Sequence, residues 1–166
     1  AVTLDDADVS AANVDAIANA TSGVVTATIT TGAVTTTLNA ITNVDANDVI
    51  TFTTNDTSVD ASDLNDLDAL VDTSDYTSVT GITEAFDGIG ASGAEVTGAL
   101  GLLDGDETVA ITGGAISAAD ANTIANATSG VVTATVTAAA ASTLVGALTN
   151  TDANDALSLT VNAEDG

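Results

Sequence analysis

Two polar turns contain the residues of this chain whose types and spacing could bind a metal ion. Both have the pattern Asn-x-Asp-x-Asn-Asp, and their polar side chains belong to Asn43, Asp45, Asn47, Asp48, Asn150, Asp152, Asn154 and Asp155. Alternating Asn and Asp residues place oxygen atoms on one side of a loop, and calcium takes oxygen ligands in proteins. The same side chains also form Asx-turns, in which they accept hydrogen bonds from nearby backbone N–H groups. Neither turn has the glycine and distal glutamate of an EF-hand loop, and the sequence leaves calcium and a structural turn as alternatives.

A third acidic segment, Asp104-Gly105-Asp106-Glu107, raises the same question. Its candidate ligands are Asp104 and Asp106, which alternate as the residues of the two turns do. Calcium is the one cofactor that these patterns indicate, and the alternative is that the chain binds no cofactor.

The composition argues against catalysis. The chain has no Lys, Arg, His or Cys, so neither a nucleophile–base pair nor a phosphate clamp can be built. Only a pair of carboxylates could transfer protons, and twenty aspartates spread over turns make a chance pair uninformative. We therefore expect that the protein is not an enzyme.

The charge limits the partners and the medium. With 24 acidic residues and no basic side chain, the formal net charge is −24, and no basic patch exists to bind nucleic acid. Self-repulsion at this charge destabilises a compact state, and dissolved salt screens it. This favours a salty or calcium-containing medium outside the cell. No apolar run reaches the length of a membrane span, so no membrane insertion is expected.

Threonine alternates with apolar residues in the segments that read as strands. The threonines of the expected polar face are Thr26, Thr28, Thr30, Thr51, Thr53, Thr133, Thr135 and Thr137. If the strands stack in register, these hydroxyls form a flat surface that could bind ice or a polysaccharide, or pack against another sheet. The simpler alternative is that threonine suits a strand.

The chain repeats itself. Residues 10–30, SAANVDAIANATSGVVTATIT, return 107 positions later as SAADANTIANATSGVVTATVT at 117–137. Similarity at a fixed offset is typical of repeat proteins. We divide the chain into an opening strand at 1–8, a first block at 9–113 and a partial second block at 114–166.

Each block reads as cycles of a short helix, a turn and a short strand, about 25 residues per cycle. Such cycles predict an α/β fold: a right-handed solenoid with a parallel sheet, helices on one side and the threonine face open. The alternatives are a pair of compact α/β domains or an all-β sandwich, and the leucine spacing at 64, 67 and 70 disfavours the sandwich. Within the cycles we expect a weak strand over Tyr76–Thr80 and a short helical turn within residues 82–90.

Several phrases resemble the tandem repeats of giant, acidic, Lys/Arg-poor secreted proteins of cyanobacteria and marine bacteria. They are VDASDLNDLDAL at 59–70, SVTGITEAFD at 78–87, GDETVAITGG at 105–114 and GVVTATVT at 130–137. Those proteins are surface-layer, fibre or RTX-adhesin-like molecules. The resemblance implies an extracellular structural or adhesive role at the cell surface. The nonapeptide of calcium β-rolls, GGxGxDxUx, is absent, so no calcium ligand is carried over.

We therefore expect a structural protein, the repeat unit of an extracellular filament, surface layer or large adhesin. Its partner would be itself, either as a head-to-tail homopolymer or as neighbouring repeats of a longer chain. The residues expected to mediate assembly are Val2, Leu4, Leu157, Leu159 and Val161, which lie in the first and last expected strands. The alternative function is a binding module that uses the threonine face.

Overall fold

Helices alternate along the chain with single strands or with two successive strands. The computed structural model describes residues 1–6, 8–86 and 93–163. The helices in these ranges are α1 (Ala11–Ala20), α2 (Val34–Ala40), α3 (Ala61–Asp68), α4 (Gly93–Leu100), α5 (Ala118–Ala127) and α6 (Ala141–Ala147). The strands are β1 (Val2–Thr3), β2 (Val25–Thr28), β3 (Val49–Thr53), β4 (Ser58–Asp60), β5 (Thr73–Asp75), β6 (Gly81–Ala85), β7 (Thr108–Ile116), β8 (Val132–Ala140) and β9 (Ala156–Asn162). The expected α/β class with parallel sheets is confirmed.

The chain forms two compact units. Unit 1 contains Ala1–Val59 and Asp63–Val79, and its sheet has the strand order β1-β2-β3-β5. All three pairings are parallel, and the paired residues lie 22 or 23 positions apart in the chain, as in Val2–Val25 and Thr51–Thr73. One further strand is therefore added for each helix–strand cycle.

Unit 2 contains Asp60–Ser62 and the chain from Thr80 onward. In the sheet of this unit, the strands β6, β7, β8 and β9 lie side by side in that order. Its β6–β7, β7–β8 and β8–β9 pairings are parallel, and the β7–β8 register shifts between Ala110 and Ala115. Among the described residues, β9 is the last strand at one edge of this sheet.

The sequence offset of 107 residues also relates the elements of the structure. Helices α1 and α5 begin after Ser10 and Ser117, whose hydroxyls accept hydrogen bonds from the N–H groups of Asn13 and Asp120, at 3.3 and 3.0 Å. These N-caps satisfy donors that the first helical turn cannot pair internally. Helices of seven to ten residues are marginal alone. They are held by a few buried apolar side chains, such as Val14 in α1 and Ile124 in α5. No helix in the described part of the chain combines the length and hydropathy needed to cross a membrane.

The expected alternation along the main strands is confirmed. Val25, Ala27 and Ile29 are buried, whereas Thr28 and Thr30 are exposed. In unit 2, Val132, Ala134 and Val136 are buried in the same way. Branched and small apolar side chains from successive strands thus form the core, with Phe52 as the largest fully buried side chain.

Two expectations for the middle of the chain were wrong. Residues 76–80 form no strand, because the carboxylate of Asp75 accepts hydrogen bonds from the N–H and hydroxyl of Thr77 and closes a turn after β5. The expected helical turn begins instead as strand β6. Its alternation was hidden because the buried positions Ile82 and Glu84 include an acid. Residues 87–90 lie outside the described residues.

Tyr76 gives a clean test of this core. It is the one tyrosine of the chain and is 6 % exposed. Burial raises the pKa of its phenol from 10.0 to about 12, and the charge of Asp68 adds to the rise. A phenol with a raised pKa contributes stability that is complete below pH 10 and is lost as the pH rises through 12. Because the chain lacks Lys, Cys and Arg, no other side chain titrates in this window.

We expect the ultraviolet absorbance of tyrosinate to appear near pH 12 in the folded protein and near pH 10 in urea. The free energy of unfolding should fall between these two values. The Tyr76→Phe variant should lose this pH dependence. A native titration midpoint near pH 10 would show that the Tyr76 phenol is accessible to water and does not belong to the buried core.

Candidate metal site and the aspartate-capped turns

In the described part of the chain, four acidic residues stand directly before a strand. They are Asp48 before β3, Asp72 before β5, Glu107 before β7 and Asp155 before β9, and we call them the strand-start carboxylates. Asp48 and Glu107 are 7 and 0 % exposed. A charged group at such depth requires hydrogen-bond partners.

Three of these carboxylates bind the backbone of the preceding strand. Asp48 accepts the N–H of Val25 at 2.7 Å, and Asp155 accepts the N–H of Val132 at 2.9 Å. Asp72 accepts the N–H of Ile50 at 3.2 Å. In each case the donor lies 22 or 23 residues earlier, at the beginning of the neighbouring strand. The carboxylate thus continues the ladder of strand hydrogen bonds past the point where the next strand starts.

In two of these side chains, the second oxygen closes the turn that precedes the strand. Asp48 and Asp155 accept the N–H groups of Asp45 and Asp152, at 3.2 and 3.1 Å. Within the same turns, Asp45 accepts the N–H of Asn47 at 2.8 Å. Asp152 likewise accepts the N–H of Asn154 at 2.7 Å. The four aspartates of these turns are therefore engaged with backbone donors, which supports the structural-turn alternative.

The first residue of each turn is held from another cycle. In unit 1, Asp15 of α1 accepts hydrogen bonds from the backbone N–H and the side-chain amide of Asn43. In unit 2, the equivalent Asn122 accepts the N–H groups of Thr149 and Asn150, both at 2.7 Å. A carboxylate and an amide oxygen thus perform the same task 107 residues apart.

Helix ends receive carboxylates in the same way. The cap residue of α2, Ala33, offers no side-chain acceptor, and Asp56 from the next cycle accepts the N–H of Val34 at 2.8 Å. Asp120 of α5 accepts the N–H of Gly93, the first residue of α4, at 3.2 Å. Negative charge is favourable at these positions because helix N-termini carry partial positive charge.

A different arrangement occurs at Asp104, Asp106 and Glu107. Carboxylate oxygens of the three residues lie within 4.8 Å of one another. Asp104 and Asp106 are exposed, whereas Glu107 is fully buried and accepts the N–H groups of Asp104 and Gly105, at 3.2 and 3.1 Å. We call these three residues the acidic triad. Three hard oxygen ligands at this spacing could hold a metal ion.

The backbone around the triad is fixed by the connection between α5 and β8. The carbonyl of Glu107 accepts the hydroxyl of Thr128 at 2.7 Å, and the carbonyl of Gly105 accepts the N–H of Ser129 at 2.8 Å. Gly105 has a φ of 87°, a conformation that glycine adopts without strain. Gly130 lies so close to the backbone of Glu107 that a side chain there would overlap it. The turn that carries the triad is thus held on both sides.

The three carboxyl groups of the triad titrate together. Hydrogen bonds from Glu107 and then Asp106 lower the pKa of Asp104. Burial raises the pKa of Glu107, and the hydrogen bond and charge of Asp104 raise that of Asp106. Asp106 and Glu107, whose pKa values are raised, stabilise the fold at low pH and lose this contribution as the pH rises through their folded pKa values. Asp104, whose pKa is lowered, contributes stability at higher pH and loses it as the pH falls through its folded pKa. Like charges held together thus retain protons that a cation would replace.

The structure therefore brings Asp104 and Asp106 together and adds Glu107, which the sequence analysis did not count as a ligand. The available signal was its position directly before a strand, as for Asp48. Asp72, Asp56 and Asp120 were also missed as backbone acceptors, because no local pattern shows what lies beside them one cycle away.

The expected threonine face is only partly continuous. Thr28 of β2 pairs in register with Thr51 of β3, which pairs with Thr73 of β5. Elsewhere other residues interrupt the rows, as where Thr26 pairs with Val49 and Thr133 with Ala156. Five of the eight threonines are exposed, namely Thr28, Thr30, Thr133, Thr135 and Thr137, and Thr26, Thr51 and Thr53 are half-buried.

The expected assembly residues lie on β1, directly after it, and on β9. Val2, Leu4 and Leu157 are half-buried. Leu159 and Val161 are 46 and 57 % exposed. Large apolar side chains with this exposure on a sheet edge are a recognised site for strand addition.

The strand-start carboxylates can be tested at Asp48. Its replacement by alanine leaves the N–H groups of Val25 and Asp45 without their acceptor, and we expect the free energy of unfolding to fall by about 2–3 kcal/mol. Asp48→Asn keeps one acceptor oxygen and should lose less. The matched control is Asp45→Ala in the same turn, where the side chain is exposed and the loss should be below about 1 kcal/mol. Equal stability of the Asp48→Ala and Asp45→Ala variants in urea titrations would contradict this role.

Comparisons of the chain with protein-family models, with curated proteins and with solved structures found no match.

Proposed function

We propose that the chain is a structural protein, a repeat segment of an extracellular filament, surface layer or large adhesin. Its helix–strand cycles would form the coils of a right-handed α/β solenoid with the threonine side open. The observation that carries the proposal is that one arrangement of strands and hydrogen bonds recurs along the chain. Paired residues lie 22 or 23 positions apart between β2 and β3 and between β8 and β9, and the same carboxylate-to-backbone bond joins each of these pairs of strands. In solenoids each repeat contacts its neighbours in this repetitive manner, and such proteins serve as extended spacers and scaffolds.

The charge supports a location outside the cell, at the cell surface. A net charge of −24 with no basic side chain leaves the long-range repulsion to be screened by dissolved ions. The carboxylate-to-backbone bonds are short-range and do not remove this repulsion. A saline or calcium-rich medium therefore suits the molecule better than a dilute one.

Calcium is proposed as the ion of the acidic triad. Hard oxygen ligands and a concentration of negative charge are what calcium prefers. Asp104 and Asp106 are exposed and thus accessible to the ion, and Glu107 is anchored by two backbone N–H groups. The ion would neutralise repulsion inside the triad and link its turn to β7.

We expect millimolar calcium to raise the melting temperature by several degrees above the effect of sodium chloride at equal ionic strength, because bound ligand stabilises the folded state. The Asp106→Asn variant should lose most of the calcium-specific rise. Asp45→Asn, in a turn whose oxygens bind the backbone, should retain it. If Asp45→Asn removes the rise and Asp106→Asn does not, the ion binds at the turn and the assignment to the triad is wrong.

Self-association through the edge strands is the proposed mode of assembly. A strand edge with exposed Leu159 and Val161 can pair with another copy of the chain or with a neighbouring repeat of a longer chain. Such a contact joins two different surfaces and does not close on itself, so it produces a filament. The alternative, a binding module using the threonine face for ice or a polysaccharide, is supported only by the single row of Thr28, Thr51 and Thr73.

We expect sedimentation velocity and negative-stain images in high salt with calcium to show elongated particles of several copies. Low salt with chelator should return the single chain, because unscreened repulsion opposes assembly. Leu159→Asp should abolish the particles, whereas Val49→Asp, at a valine with a similar exposure of 43 % on an inner strand, should assemble normally. A chain that stays single in all these solutions would contradict the proposed assembly of separate copies.

A further inference from the structure

We infer that β9 and the adjoining surface of unit 2 form the docking site for one further helix–strand coil with the residue chemistry of 60–79. The inference deepens the proposed function, on which it rests, by naming what covers this edge. It is drawn from a comparison of β9 with its equivalent in unit 1, where the corresponding surface is covered.

Strand β9 is equivalent to β3 at the offset of 107 residues. Ile50 and Phe52 of β3 are fully buried, and Thr54, which follows the strand, is 3 % exposed. Their counterparts are Leu157, Leu159 and Val161, of which Leu159 and Val161 are 46 and 57 % exposed. Apolar side chains thus occupy the same three positions in unit 2 although two of them meet solvent. This pattern is typical of a surface built for burial.

In unit 1, the coil of residues 60–79 covers β3. Strand β5 pairs with it in parallel, with Thr51 opposite Thr73 and Phe52 opposite Ser74. The carboxylate of Asp72 accepts the N–H of Ile50 at 3.2 Å, and the N–H of Asp72 donates to the carbonyl of Ile50 at 2.9 Å. A single acidic residue therefore pairs both backbone groups of Ile50, whose equivalent in β9 is Leu157.

The same coil also contributes apolar side chains. Leu64 and Leu67, on one face of α3, are fully buried in unit 1. Thr35 of α2 donates its hydroxyl to Asp63 of α3, so the helices of successive cycles are joined as well. On α6, the equivalent of α2, Val145 is 77 % exposed. The occupant of β9 should thus present a short helix with two leucines, followed by an acidic residue and a strand.

A second copy of the chain meets this description less well. The two edge strands of its unit 1 sheet are β1 and β5. Asp72 before β5 is already bonded to Ile50, so the available edge is β1, and the residue directly before β1 is Ala1 rather than an acid. That strand would leave the N–H of Leu157 without the acceptor that Asp72 supplies to Ile50. The comparison therefore favours an in-phase coil over the β1 edge of another copy.

The experiment extends the full chain in phase. Residue 166 corresponds to residue 59, so a copy of Asp60–Val79 is appended after Gly166. We expect hydrogen exchange of the Leu157 and Leu159 amides to slow by about 100-fold or more in the extended chain, because they enter a strand ladder. The appended coil with both leucines replaced (Leu64→Asn and Leu67→Asn in the copy) serves as the matched control and should give no slowing. A copy with Asp72→Ala should give an intermediate effect at Leu157.

A second variant keeps the test decisive if the appended coil folds poorly. Val161→Asp lies on an exposed position. In low salt with chelator, where the original chain is single, it should leave the exchange and stability of that chain unchanged, but it should remove the protection in the extended chain. If the extension gives no protection, or if protection survives Val161→Asp, the proposal is overturned. If instead the original chain becomes protected at Leu157 as its concentration rises and the extension adds nothing, the occupant is a second copy. Failure of the filament experiment with protection intact would contradict the proposed function alone.

Discussion

The bond between an aspartate carboxylate and a backbone N–H of the neighbouring cycle is the interaction on which this structure depends. A chain without basic side chains cannot neutralise its acids by ion pairs, and each carboxylate must find donors in the backbone, in hydroxyls or in water. Parallel strands and short helices offer such donors, because the first N–H groups of each element lack partners within it. Asp48 at Val25, Asp56 at Val34 and Asp155 at Val132 use these donors. The same bonds set the spacing of successive cycles, since donor and acceptor lie one cycle apart.

The local features of the fold could be predicted from the sequence because their causes are local. Ser10 and Ser117 indicate helix starts because their hydroxyls can cap a first helical turn, and the alternation of apolar residues and threonine over residues 24–30 predicts a half-buried strand. The elements around Tyr76 and Ile82 could not be predicted in this way. There an Asx-turn at Asp75 ends one strand, and a buried Glu84 breaks the apolar pattern of the next. Both depend on contacts that the local sequence does not reveal.

At the candidate site, too, local features could be predicted and contacts between distant residues could not. The spacing of Asn43 to Asp48 correctly indicated a turn rich in oxygen acceptors, but the sequence could not decide between a cation and the backbone. The structure supplies the N–H groups of Val25 and Asp45 to Asp48, and these donors come partly from 23 residues away. The sequence also does not reveal which of two equivalent positions is buried. Phe52 is fully covered and Leu159 is not, although both alternate with polar neighbours in the same way, because the difference lies in the cycle that follows.

The acidic triad has more carboxylates than its turn has backbone N–H groups to pair with them. In the turns before β3 and β9, a single carboxylate is matched by two backbone donors, as Asp155 is by Val132 and Asp152. At the triad, Glu107 takes the N–H groups of Asp104 and Gly105, and two more carboxylates stand within 4.8 Å. The backbone of one turn cannot satisfy three negative groups at this distance, so the site relieves its repulsion by retaining protons or by binding a cation. A shortage of positive charge is general in this chain, but only here among the described residues does it leave three acids sharing one turn.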